Sequence, residues 1–381
     1  MRMQIAINPR LRLSPPVMIL TSLMGIGFVV AMIRFAEGIG AISNLSNTYP
    51  WGFWISFDLF TGVAIGSGAF VMAAMVYIFE LRDFRPLLKP AVLTGFLGYL
   101  MVIIALLVDL GRPERILHML IYTNLTSILL EIGICVMSYT AVLAIEFAPI
   151  VFEGLRWQRF AQLIHRYIMP FVILGVVLST LHQSSLGSLL LIEPEKLHPL
   201  WWTPILPVLF FISAVAIGLA MIIFESSLSS RYFRRGLETH LLEKLARAIP
   251  FVTGLYLVVR FAELAVAGDL RYLFSSGMMS VLFWAEIILG AVLPLALFSY
   301  RRFRRSPAAL LAGAIVLLLG MILNRFDVSW LAVSRLTDVS YVPSLAELSI
   351  SVAIFSAGIL AFGLVARYLP LFEDKGEHAP S

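Results

Sequence analysis

The sequence predicts an all-α, polytopic membrane bundle of about ten transmembrane helices. Three observations predict it: 60% of the residues are apolar and 13% charged, apolar stretches recur along the whole chain, and the basic residues alternate from loop to loop. A membrane-crossing helix needs roughly 17–25 mostly apolar residues. Such stretches fall at about 16–41, 53–80, 90–110, 124–147, 167–191, 203–225, 249–267, 279–299, 308–324 and 343–369. The largest gap, between Glu225 and Ile249, leaves no room for a soluble domain, so residues 1–381 read as a single integral-membrane domain.

Each stretch has its own signature. The first, from Pro16, is too long for a signal-peptide core and has no small-residue cleavage site, so it reads as a retained span. The second opens on the polar-aromatic run Tyr49 to Trp54 and carries Gly62 and Gly66, a Gly-x-x-x-Gly pair that permits close helix packing. The fourth holds the single cysteine, Cys135, which excludes internal disulfides, cysteine-ligated iron–sulfur clusters and the Cys-x-x-Cys-His haem attachment. The ninth is the shortest. Trp51, Trp54, Trp201 and Trp202 suit an interfacial aromatic belt. The helix count permits two four-helix bundles plus a C-terminal pair.

The net charge of +5 follows topology, not nucleic-acid binding. Of the 28 Lys and Arg, 20 lie at the two ends of the chain and in the loops after spans two, four, six and eight, while six lie in the opposite loops. Arg34 and Arg260 lie within spans. The positive-inside rule puts both termini of this multi-pass membrane protein in the cytoplasm.

Ionisable residues inside apolar helices are costly and usually mark ion, proton or substrate routes. Asp58, Glu131 and His182 sit in such settings, as do Arg34, Arg260, Glu263 and Glu286. At 1.5 Å per residue, Asp58 lies roughly 8–9 Å below the outer start of its span, Glu131 and Arg34 roughly 10 Å, and His182 about 13 Å. This shared depth in the outer half suits a site that opens to the outer face. Carboxylates and a histidine can relay the two protons of a quinone redox cycle, and aromatic residues can stack on the flat ring. Trp54 and Asp58, four residues apart, share a helix face. Structural pairing, such as Asp58 with Arg34 or His182 with a backbone carbonyl, is the competing reading.

Of the six histidines only His182 is deep in a span, which argues against a bis-histidine haem. No His/Cys cluster has metal-ligand spacing, and no phosphate loop or nucleophile motif occurs.

The run Pro50-Trp51-Gly52-Phe53-Trp54-Ile55-Ser56-Phe57-Asp58, followed by a Gly-rich span, resembles the NrfD/PsrC family of quinone-reactive membrane subunits. Leu129-Leu130-Glu131, His182-Gln183-Ser184-Ser185-Leu186-Gly187-Ser188-Leu189, His198-Pro199-Leu200-Trp201 and Ile223-Phe224-Glu225 narrow the resemblance to the HybB type, found in hydrogenase-2-type Ni/Fe-hydrogenases. The resemblance implies a bundle with no haem or iron–sulfur cluster of its own. It also implies a periplasmic ferredoxin-like iron–sulfur subunit, the hydrogenase large and small subunits beyond it, and menaquinone or ubiquinone as the bound substrate. Trp54, Asp58, Glu131 and His182 are the expected quinone-binding residues, and Asp58, Glu131, Arg34 and Glu263 the expected proton carriers. Asp109, Arg112 and Arg115 are the expected docking residues. Some relatives place a histidine on the first helix; here that span has Arg34 and Glu37 instead. An equivalent subunit of a sulfur-compound oxidoreductase, a secondary transporter and a purely structural anchor are the alternatives.

Overall fold

The computed structural model describes residues 14–46, 49, 51–192, 194–333 and 341–372. Ten helices are long and apolar enough to cross a membrane. They are α1 (Pro15–Glu37), α2 (Trp54–Ile78), α3 (Arg82–Asp109), α4 (Ile128–Gly154), α5 (Gln158–Leu189), α6 (Leu206–Tyr232), α7 (Thr239–Ala267), α8 (Met278–Ser299), α9 (Pro307–Leu331) and α10 (Leu345–Tyr368). Among the described residues there is no strand.

Several helices run past their apolar stretches at the basic-loop end. Helices α3, α5 and α7 start at Arg82, Gln158 and Thr239, where apolar stretches beginning at about 90, 167 and 249 were expected. Hydropathy marks the hydrocarbon, but backbone hydrogen bonding continues where long basic side chains reach water. In α5 the junction is marked by non-helical geometry at Tyr167, three residues before Pro170. The ninth span is not short: α9 has 25 residues, because a π-helical segment, Asp327–Leu331, carries it beyond the polar Asn324 and Arg325.

The helices pack as two bundles and a pair. Helices α2 to α5 form one bundle and α6 to α9 the other. The remaining pair is α1 with α10, leaning on α3, so the first and last helices make the pair and not two C-terminal ones. Helix α2 touches α6 and α9, which places it at the seam between the bundles. It is accordingly the most buried span, whereas α1 presents most of its surface to lipid.

Close approach of α2 and α3 rests on the Gly-x-x-x-Gly pair. A Cβ on Gly66 would lie 2.9 Å from the Tyr99 ring, and one on Gly62 would lie 2.9 Å from Val102. Helix α2 also binds its neighbour α6 through Ser67 Oγ, which donates to the Ala214 carbonyl at 2.6 Å. Its first eight residues, Trp54–Thr61, are π-helical. Such wide turns disturb the i→i−4 ladder and recur at functional sites.

Replacing Gly66 by leucine should force Tyr99 aside and destabilise the bundle by about 1–3 kcal/mol, the usual cost of overpacking. A fall in the thermal transition of the detergent-solubilised protein would register it, and an unchanged transition would show that α2 and α3 do not depend on this contact.

Candidate functional site

The expected site residues fall into three groups and not one. The first lies where the outer ends of α1, α2, α3, α9 and α10 meet. Trp54 and Asp58 stand on the π-helical turn of α2, both buried. Asp58 Oδ2 accepts a 2.6 Å hydrogen bond from Ser351 Oγ on α10. Asp58 Oδ1 and Trp54 Nε1 are buried without a partner. An acceptor and a donor left open in a dry interior are uncommon, because each costs about 1–3 kcal/mol unless something fills it. Phe57 stacks between Phe326 and Phe355, at ring separations of 5.9 and 5.0 Å, so aromatic surface borders these atoms.

Arg34 belongs to the same region but not to the open pair. Its Nε donates to the Val108 carbonyl at 2.6 Å and its Nη2 to the Leu110 carbonyl. It thus caps the C-terminal end of α3, where carbonyls lack helical partners and the helix dipole favours a cation. Asp109 lies in the electrostatic field of Arg34 and is half-buried, whereas Arg112 and Arg115 are exposed. The expected docking trio is therefore divided.

The walls of this region are held by residues that hydropathy does not single out. Tyr341 OH donates to Glu347 Oε1 at 2.5 Å and accepts from the Phe53 backbone N–H at 3.0 Å. Glu347 also closes a capping box with Ser344 at the start of α10. Tyr49 OH donates to the Trp330 carbonyl at 2.5 Å. Burial pushes the Tyr49 and Tyr341 hydroxyls up from their ordinary range, so both remain donors at neutral pH. The Ser344-x-x-Glu347 spacing was a usable signal; nothing in the sequence marked Ser351.

The second group lies within α3, α4 and α5. Ser185 Oγ donates to Glu131 Oε1 at 2.6 Å. His182 is fully buried, with Nδ1 against the Leu178 carbonyl at 2.7 Å and Nε2 against Tyr99 OH. A carbonyl can only accept, so Nδ1 carries the proton and Nε2 accepts from the tyrosine. The Tyr139 ring lies 4.8 Å from Tyr99 and 5.6 Å from His182. Glu131 is shallower than expected. Helix α4 begins at Ile128, which puts Glu131 in its first turn, about 5 Å down, and exposed. Tyr99 packs on Gly66, eight residues beyond Asp58 on α2, so the His182–Tyr99 contact lies deeper in the bundle than the Asp58 group.

The third group lies among α6 to α9. Glu286 Oε2 accepts from Trp201 Nε1 at 2.9 Å and from Asn324 Nδ2 at 3.1 Å. Arg325 donates to Ser213 Oγ at 2.7 Å and stacks over Phe210 at 3.9 Å. Arg260 donates to the Leu200 carbonyl and pairs with Glu263 at 3.5 Å. Glu263 is thus tied to this bundle and stands apart from Asp58, Glu131 and Arg34. Asp327, which the sequence reading did not select, is fully buried here on the π-helical end of α9.

Haem and metal make particular demands that can be set against these residues. His182, the deep histidine, uses both ring nitrogens on Leu178 and Tyr99, leaving neither for an axial bond to iron. His165 Nε2 pairs with Glu153 at the basic-loop end, and His378 lies outside the described residues. Among the described residues no group of three or more His, Cys, Asp or Glu is arranged to hold a metal ion.

Replacing Tyr341 by phenylalanine strips a partner from both Phe53 N–H and Glu347. A stability loss of about 1–3 kcal/mol is expected in thermal unfolding, with an unchanged far-ultraviolet spectrum.

Comparisons with known proteins agree with this architecture. A Nitratidesulfovibrio vulgaris protein is 36% identical over 99% of both chains. The probable Ni/Fe-hydrogenase 2 b-type cytochrome subunit of Escherichia coli is 33% identical, covering 97% of this chain and 96% of its own. The integral membrane subunit of the N. vulgaris menaquinone reductase is 30% identical, covering 93% and 90%. The family model described as "Polysulphide reductase, NrfD" matches residues 41–337, and the chain therefore belongs to the NrfD family.

Proposed function

We propose that this chain is the quinone-reactive membrane subunit of a respiratory hydrogenase complex. The observation that carries the site is the open pair at the outer end of α2: Trp54 Nε1, a donor, and Asp58 Oδ1, an acceptor, buried one turn apart without partners. Similarity over nearly the full length to the hydrogenase-2 and menaquinone reductase membrane subunits supports the same reading.

Trp54 Nε1–H donates to one ring carbonyl of the quinone, and the Phe57 stack gives its ring an aromatic wall. Reduction takes up two electrons and two protons. Asp58, held by Ser351, passes one proton at the ring oxygen, and Glu131 with His182 serves as a second proton station on the neighbouring helices. The two electrons come from a ferredoxin-like iron–sulfur subunit on the periplasmic face, behind which the hydrogenase subunits lie. Arg112 and Arg115 are the docking contacts. Asp109, half-buried beside Arg34, shapes the loop that presents them. Arg34 and Glu263, each held by local partners, support the helices and move no protons. Menaquinone and ubiquinone both satisfy these contacts.

The histidine chemistry favours a chain without haem. A reduced-minus-oxidised spectrum of the purified complex should therefore show no b-type signal attributable to this subunit; a stoichiometric one would overturn this part of the reading. Asp58→Asn should lower hydrogen-dependent quinone reduction by about 100-fold, the scale of a lost general acid or base. Dye reduction by the partner enzyme should persist. Loss of both activities would indicate an assembly role, and retention of both would place the quinone elsewhere.

A further inference from the structure

The quinone reading leaves unused a cavity at the opposite, basic-loop end of the first bundle. It has a volume of about 540 Å³ and lies between the ends of α2, α3, α4 and α5. Its charges are unevenly settled. Asp83 Oδ2 accepts from Lys244 Nζ at 2.6 Å, which ties the α2–α3 turn to α7 of the second bundle. Glu153 holds Lys89 at 2.9 Å and His165 at 3.2 Å. Arg82 and Arg85 also line the cavity, and both are exposed. Among the described residues their guanidinium groups have no ion pair and no hydrogen bond.

Two other carboxylates lie close by, and neither answers these arginines. Glu80 lines a neighbouring cavity on the α7 side and not this one. Glu146 lies about 12 Å in from the basic-loop end of α4. At the mouth of the cavity the two arginines are therefore the charges left over. They stand three residues apart across the 3-10 turn Arg82–Phe84, where side chains at that spacing eclipse, so both can reach one anion. A guanidinium fork matches two oxygens of a phosphate, which makes paired arginines a phosphate-binding arrangement.

The surroundings say what carries the phosphate. Helix α2 is the most buried span, yet its last turn and the link to α3 present large apolar groups outward: Ile78, Phe79 and Leu81 are 43%, 68% and 45% exposed. These three side chains directly precede Arg82. Inside the cavity, Leu88, Val92, Ile150 and Ile168 add apolar wall. A free anion in water has no use for exposed apolar surface beside its cations. A phospholipid does, since its acyl chains lie in hydrocarbon and its phosphate at the boundary. The positive-inside rule puts this end in the cytoplasmic leaflet, where anionic lipids are found and where basic pockets between helices take their headgroups.

We propose that this cavity binds an anionic phospholipid, its phosphate held by Arg82 and Arg85 and its acyl chains lying along Ile78, Phe79 and Leu81. The bound lipid fastens the α2–α3 turn to α4 and α5 at the end of the bundle remote from Asp58. The site is independent of the quinone reading, since it uses none of the residues assigned there.

The test is the thermal transition of the purified complex, stripped of lipid in detergent and titrated with phosphatidylglycerol. A ligand that binds the folded state raises the transition, and the titration gives its apparent affinity. Phosphatidylglycerol should raise the transition of the wild-type complex. In the double variant Arg82→Gln, Arg85→Gln the affinity should fall about 30-fold, the scale of two cations lost against an anionic headgroup. Without lipid, that variant should melt with the wild type, because the two guanidinium groups hold nothing in the protein. The double variant Arg301→Gln, Arg302→Gln removes the same charge from another basic loop and should keep the wild-type response. An equal loss of affinity in both double variants would reduce the effect to net charge and overturn the site. A rise caused by inorganic phosphate at matched ionic strength, with none from phosphatidylglycerol, would make the ligand a free anion and overturn the lipid assignment. No rise from either would overturn both.

Discussion

Hydrocarbon offers no hydrogen-bond partner, and that constraint organises everything polar in this protein. Helix α2 feels it most. It lies at the seam of two bundles, touching α3, α6, α9 and α10, so each polar group it carries must be met by another helix. Ser67 meets the Ala214 carbonyl, Gln183 of α5 reaches the Val63 carbonyl at 3.0 Å, and Asp58 meets Ser351. Small residues bring the neighbours close enough for this. Gly62 and Gly66 admit α3, and Gly218 admits α2 against α6. On α2 itself the open atoms are those of Trp54 and Asp58, and they lie at its π-helical outer end.

The two bundles divide the labour. The bundle of α6 to α9 spends its charges on itself: Glu286, Arg260, Glu263, Asn324 and Arg325 bond to one another, to Trp201 or to backbone carbonyls. Such networks hold helices in register where the hydrophobic effect does not act between them. The bundle of α2 to α5 differs in kind: its open atoms include the neutral hydroxyls of Tyr139 and Ser179 and it has a cavity at the basic-loop end, whereas those of α6 to α9 belong to charged side chains, both oxygens of Asp327 among them. Chemistry that moves protons needs partners that can be exchanged, and unfinished hydrogen bonding is where exchange is possible.

Much of the fold was legible because hydrocarbon imposes a simple code. Ten apolar stretches became ten helices, and the Gly-x-x-x-Gly pair marked the α2–α3 contact. Helix ends were less legible, since α3, α5 and α7 extend into the polar region where hydropathy falls but hydrogen bonding does not. The site was half legible. Trp54, Asp58 and His182 stood out as polar or ionisable groups out of place, but similar depth did not mean a shared site. Glu131 was counted from residue 124 although its helix starts at Ile128, and Asp58 and His182 belong to different groups. Tyr99, Tyr139, Ser179 and Ser351 were missed because neutral hydroxyls cost little in hydropathy and gain meaning only from what faces them. Asp327 hid in a π-helical extension that made α9 look short.

The central claim is that the quinone ring meets the outer end of α2, and photolabelling tests it most directly. The purified complex would be illuminated with an azidoquinone, digested, and its labelled peptides identified. The account predicts label on the Trp54–Thr61 segment of α2 and on α10 near Ser351, competed by excess unlabelled quinone. Competable label confined to α6 through α9 would contradict it.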